Sequence, residues 1–215
     1  MKKIQKTILA VLLLSASCLS VQARSKVLDS FITKVSSSLV TFDYSFTCLV
    51  NGTKMTGDGK VELQDDCFRV QGNGLDIWCD GKTRWTIDTF AEEAVAESVG
   101  AAEGLMTNPA LLITSVDDAF RETSSGSATF AGAAVDTSVL TPLTKGKSSM
   151  DIASLTLYFK KGTSTLSGVE VKLNDGTVTK FTLKSFSFGA KTKGKESFRF
   201  NEKTLDSSYV VTDLR

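Results

Sequence analysis

The sequence predicts a mainly β protein (α+β): about ten or eleven strands in one curled antiparallel sheet, with two or three short helices across its concave side. Three observations carry this. Apolar residues alternate with polar ones in many short runs, and those runs are separated by turn-forming residues such as Asn51-Gly52, Asp80-Gly81 and Asn174-Asp175-Gly176. Helical spacing occurs in only two places. The apolar load is aromatic and one-sided, with 13 Phe and 2 Trp in 215 residues, and a large sheet so loaded curls and takes helices onto its greasy face.

The chain opens on Lys2, Lys3 and Lys6, a short apolar run from Ile8 to Leu14, and small residues at Val21-Gln22-Ala23. That is the pattern of a cleavable secretory signal peptide over residues 1–23, with too short a core to span a bilayer. Residues 24–215 then form one exported domain, sized for a single core. Cys18, preceded by Leu14-Ser15-Ala16-Ser17, offers a weak acylation box as the competing reading. Without the three signal lysines, 22 of the 25 basic residues remain against 24 acidic ones, so bulk charge gives no case for nucleic acid or an anionic surface.

The first element after residue 23 is a helix, because Val27, Leu28, Phe31, Ile32 and Val35 share one face. From Leu39 the period becomes two, with Phe42, Tyr44, Phe46 and Cys48 pointing one way and Thr41, Asp43, Ser45 and Thr47 the other. Strands follow at Lys60–Gln64, Phe68 and Val70, Leu75 to Cys79, and Trp85 with Ile87, each bounded by turn residues. Gly57-Asp58-Gly59 and Gly72-Asn73-Gly74 read as turns. Between roughly 98 and 125 the rhythm lapses, and Asn108-Pro109-Ala110-Leu111-Leu112-Ile113 reads as a capped apolar helix, with a second helical turn from Val116 to Phe120.

Strands resume near Ser127 and include Leu155, Leu157 and Phe159, then Val169, Val171 and Leu173, then Phe181 and Leu183. Phe186 and Phe188 are out of phase with Phe181 and Leu183, which predicts a bulge near Ser185. Phe198 and Phe200 read as the last clear strand.

Catalytic chemistry is hard to assemble from this inventory. There is no histidine, so neither a Ser-His nor a Cys-His pair exists, and no nucleophile elbow is present. The usual zinc ligand sets are missing as well, and no cofactor or metal is expected. Cys48, Cys67 and Cys79 are an odd set in which at most one pair forms. The acidic pairs Asp65-Asp66, Glu92-Glu93 and Asp117-Asp118 read as solvated surface.

Taken in order, the helix, the Phe-rich strand, Gly57-Asp58-Gly59-Lys60-Val61-Glu62-Leu63, Phe68-Arg69-Val70, Asp80-Gly81-Lys82-Thr83-Arg84-Trp85-Thr86-Ile87, Asn108-Pro109-Ala110-Leu111-Leu112 and Phe198-Arg199-Phe200 resemble the LolA-type lipoprotein carriers. The resemblance spans nearly all of residues 24–215. It implies an unclosed antiparallel β-barrel, a half-barrel of about eleven strands with short helices as a lid over a hydrophobic cavity. It also implies a periplasmic monomer that takes acylated lipoproteins from an inner-membrane lipoprotein-releasing transporter, carries their lipid chains, and hands them to an outer-membrane acceptor.

By position, Trp85 and Ile87 would line the barrel, Leu111 and Leu112 would belong to the lid, and Phe42, Phe46, Leu63, Phe68, Phe159 and Phe200 would form the wall. The family's Arg-Pro pair is replaced by Asp65-Asp66, so the lid contact attributed to that Arg needs a substitute, with Arg69 and Arg84 as candidates. The competing functions are an envelope lipid or lipoprotein sensor, a membrane-anchored lipoprotein acceptor and, disfavoured by the missing histidine, a lipid-directed enzyme.

Overall fold

The period-two run after the first helix becomes one arm of a long hairpin. β1 (Leu39–Val50) and β2 (Thr53–Gln64) pair antiparallel from Val40↔Leu63 to Val50↔Thr53, and Gly52, with φ 78°, leads into β2. β3 (Cys67–Gly72), β4 (Leu75–Cys79), β5 (Thr83–Asp88) and β6 (Glu93–Ser98) continue the meander away from β2. A second meander, β7 (Phe120–Phe130), β8 (Ala133–Pro142), β9 (Ile152–Lys160), β10 (Leu166–Leu173) and β11 (Val178–Gly189), returns to pair with the other side of β1. β12 (Val210–Asp213) joins β6 in parallel.

The computed structural model describes residues 24–50, 52–99, 109–143 and 151–215. The predicted signal peptide, Cys18 and the Asn108 cap lie outside them. Among the described residues one sheet holds twelve strands in the order β12-β6-β5-β4-β3-β2-β1-β11-β10-β9-β8-β7. Its two edges, β12 and β7, do not meet, and the barrel is open.

Three short helices cover one face of this sheet, called here the inner face. α1 (Lys26–Ser37) is capped by Ser25, whose Oγ accepts from Leu28 N at 3.3 Å. Ser25 is itself seated on the buried carboxylate of Glu122, donating its N–H to Oε2 at 2.6 Å and its hydroxyl to Oε1 at 2.9 Å. α2 (Pro109–Thr114) and α3 (Val116–Ala119) follow β6, and α2 packs on β2 and α1.

The bulge expected near Ser185 is present: the β1–β11 register shifts between Thr41 and Asp43, and Ser185 has φ 53°. The extra residue returns Phe186 and Phe188 to the inner face, where Phe186 stacks on Phe42 at 5.2 Å.

Several segments depart from the sequence reading, each for a visible reason. Gly57-Asp58-Gly59 is the middle of β2 and not a turn, because the rings of Phe46 and Tyr44 approach the two glycines too closely for any larger side chain. A Cβ on Gly57 would sit 2.5 Å from Phe46 Cε1, and one on Gly59 would sit 2.7 Å from the Tyr44 hydroxyl. β6 escapes alternation because its buried residues are Ala94 and Ala96. β12 and most of β7 escape because they are exposed edge strands. Phe198 and Phe200 belong to no strand. Phe198 ends a 3-10 turn (Lys195–Phe198), and Phe200 lies in the irregular segment that runs on to β12.

Candidate functional site

The inner face gathers the long apolar side chains that alternation picks out. Phe42, Leu63, Phe68 and Phe159 fall in one cluster with Leu112 of α2 and with Leu28, Phe31 and Val35 of α1. Phe46 and Leu111 sit at its margin, half-buried. At the centre the Phe31 ring meets Phe159 edge-on at 5.4 Å and approaches Phe186 and Phe188 at 6.3 and 6.4 Å.

This face is not an open cavity in the structure. Phe31, Leu155, Phe159 and Leu166 are all 0% exposed, so helix side chains fill the space over the sheet. The approach to it is a cleft of about 220 Å³ between α1 and the α2–α3 pair, floored by Ile32, Val35 and Ile113 and rimmed by Ser36, Asp65, Asp117 and Asp118.

Trp85, Ile87 and Phe200 are not brought to this face. Ile77 and Cys79 point inward with Val70 and Phe68, and their partners across the β4–β5 turn are Thr86 and Arg84. Trp85 and Ile87 therefore point out, opposite Trp78, into a second cluster with Ala94, Ala96, Phe200, Leu205 and Tyr209. Phe200 lies 6.0 Å from Trp78 and 5.2 Å from Trp85, and Arg69 stacks on Trp78 at 3.8 Å. The C-terminal segment thus straps the outer face of β4–β6, and neither tryptophan touches the inner cluster's interior.

The Asp65-Asp66 corner between β2 and β3 is occupied. Lys191, just after β11, is ion-paired with Asp65 and donates from Nζ to the Ser36 carbonyl at the end of α1 at 3.3 Å. Lys193 pairs with Glu62 at 2.7 Å, Lys195 with Asp66 at 3.1 Å and Arg199 with Asp80 at 3.3 Å. Beneath them the buried Gln64 exchanges hydrogen bonds with the Lys193 backbone, donating to its carbonyl and accepting from its N–H. Arg69 is committed to Asp76 on the outer face, and Arg84 pairs with Glu97 at 2.8 Å.

Comparison with known proteins decides the family. The model for the outer membrane lipoprotein carrier protein LolA matches residues 68–201. The chain belongs to the LolA family. No curated relative matches it.

Among solved structures, an uncharacterized conserved protein from Thermus thermophilus shares the fold at TM-score 0.51 and 12% identity, over 87% of this chain and 96% of that one. A LolA superfamily protein from Nitrosomonas europaea reaches TM-score 0.46 at 9% identity, over 80% and 97% of the two chains. A putative outer membrane lipoprotein-sorting protein domain from Vibrio parahaemolyticus reaches 0.44 at 10%, over 83% and 96%.

Among the described residues of this LolA-family chain the three thiols are free, with Cys67 and Cys79 buried and Cys48 half-buried. Burial, then the neighbouring Asp66 carboxylate, pushes the Cys67 thiol up to about 12, and burial likewise raises Cys79. Both are inert packing residues at neutral pH. Among the described residues no cluster of His, Cys, Asp and Glu could hold a metal ion, and no helix is long and apolar enough to cross a membrane.

Sequence reasoning missed Lys191 and Gln64 because their partners lie more than a hundred residues away. The only prior signal was the run Lys191-Thr192-Lys193-Gly194-Lys195, whose charges match the acids at 62, 65 and 66.

Proposed function

We propose that the chain is a periplasmic carrier of lipoprotein acyl chains, and that the packed arrangement of helices over the sheet is its closed form. Residues 1–23 are its signal peptide and residues 24–215 the carrier domain. One observation carries the reading: a broad aromatic face is closed over by helices of 12, 6 and 4 residues. Helices that short are marginal alone and persist through packing. If hydrocarbon tails replace Leu28, Phe31, Val35 and Leu112 against the same wall, apolar contact is exchanged for apolar contact at small net cost.

The gain from sequestering tails is large by comparison, because each methylene kept from water is worth about 0.8 kcal/mol. The cargo would rest on Phe42, Phe46, Leu63, Phe68 and Phe159, with Leu111 and Leu112 on the moving helix. An inner-membrane releasing transporter and an outer-membrane acceptor are the partners this reading requires. It assigns the chain no catalytic role.

Native mass spectrometry of the protein purified from its own envelope should show acylated cargo, and a uniformly cargo-free preparation would sink the proposal. The discriminating variant is Leu111→Glu. Leu111 is half-buried at the margin while Leu112 is 2% exposed, so Leu111→Glu should cost roughly 1–2 kcal/mol of stability yet weaken uptake of a diacylated lipopeptide at least about tenfold, since a charge at the entrance meets the tails directly. Equal loss of stability and uptake would make Leu111 a plain core residue.

A further inference from the structure

We propose that the outer face senses occupation of the inner one: displacement of α1 by acyl cargo is transmitted through Lys191 to the C-terminal strap over Trp78 and Trp85. The inference rests on the carrier reading and adds to it a coupling between two sites.

The contacts that carry it form a continuous line. α1 contributes Leu28, Phe31 and Val35 to the packed interior, so tails cannot enter without moving the helix. Its C-terminal turn is held by the Lys191 ammonium, which bonds the Ser36 carbonyl and Asp65 together. Lys191 begins the strap, whose next residues are fastened to the same corner by Lys193–Glu62, the Gln64–Lys193 backbone pair and Lys195–Asp66.

Four residues beyond Lys195, Arg199 reaches Asp80 in the β4–β5 turn, and Phe200 then lies on both tryptophans. A shift of Ser36 must either break the Lys191 bond or carry the strap with it. The ion pairs along this line are half-exposed and individually weak, which suits a device that must switch. Since binding linkage is reciprocal, loosening the strap also favours cargo entry.

The chain has two tryptophans, both on the outer face, so their emission reports the strap and not direct contact with cargo. Palmitate is titrated into the protein spanning residues 24–215, with uptake read by equilibrium dialysis of radiolabelled palmitate and emission read in parallel. In the wild type, emission should shift with the same midpoint as uptake.

In Lys191→Met, uptake should tighten by about two- to fivefold, the scale of one released surface contact, and the emission shift should fall by at least about half. Asp65→Asn should move both readings in the same direction by less. Uptake with unchanged wild-type emission overturns the coupling alone, as does a full emission shift in Lys191→Met. Absence of uptake in every protein overturns the carrier reading and the coupling with it.

Discussion

The inner cluster and the outer cluster hold the same kinds of residue, yet they are built in opposite ways. On the inner face, long strands contribute one large residue every second position, and regular helices complete the packing. On the outer face, β4 to β6 supply two tryptophans, Ile87 and two alanines, and an irregular segment with a 3-10 turn completes it. An antiparallel sheet covered on one face shows clean alternation, whereas β4 carries Ile77 inward and Trp78 outward and is apolar on both. Apolar content therefore does not reveal which face a strand's large residues serve. Only the pairing register does.

Truncating one anchor on each face tests whether the two clusters differ in function as well as in construction. Phe31→Ala and Trp85→Ala should each lose about 3–5 kcal/mol in chemical denaturation, because each removes a large, nearly inaccessible aromatic side chain from a packed site. Uptake of a diacylated lipopeptide tests the two faces: the Phe31 variant vacates volume against Phe159 and should bind at least as well as wild type, while the Trp85 variant only loosens the strap through Phe200 and should tighten uptake by no more than about two- to fivefold. Impaired uptake in the Trp85 variant alone would reverse the assignment of faces.

A smaller effect sharpens the same contrast at β6. Ala94 and Ala96 are 0% exposed under the outer cluster, so Ala96→Leu should cost about 1–3 kcal/mol by overpacking against Trp85. The inner face, which can shift its helices, should tolerate an added methylene at Val35 with less loss. Urea midpoints for Ala96→Leu and Val35→Leu decide it. An equal or smaller loss for Ala96→Leu would mean that the outer cluster is the looser of the two.

Much of this architecture was legible in the sequence where local rules act alone. The α1 face, the strand phases from Phe42 to Cys79, the tight turns and the Ser185 bulge all follow from spacing and turn chemistry. The inner positions of Phe42, Leu63, Phe68 and Phe159 follow from the same alternation. What was illegible depends on partners distant in sequence. Every residue of β12 is exposed, and the strand exists because β6 offers it an edge, while Gly57 and Gly59 stay in a strand because Phe46 and Tyr44 cover them.

Trp85 is the instructive error, since the signal was present. Cys79 pairs with Arg84 across the four residues 80–83, and with Ile77 and Cys79 inward this register sends Trp85 out. Counting across that turn gives the answer that hydrophobicity obscures.

The smallest expected effect is one of acidity, and it falls on the outer face. Burial tends to raise Asp66, but hydrogen bonding to Lys195 and its own backbone outweighs it and holds the carboxyl below its ordinary 3.8. Burial likewise opposes, and the Thr83 and Lys82 amides and Arg199 outweigh it, at Asp80, which is also held low. A carboxylate whose folded value is depressed stabilises the fold fully above its unfolded value, and that stabilisation is lost as pH falls through the folded one.

The Lys195 and Arg199 clamps should therefore be unchanged from pH 7 to about pH 5 and weaken only below about pH 4, each exposed pair contributing little to overall stability. Tryptophan emission should then begin to move below about pH 4 while far-UV circular dichroism holds, because the strap loosens before the sheet does. If the two signals move together throughout, the strap is integral to the sheet's cooperativity. The outer face would then be a second core, with no freedom to answer events on the inner one.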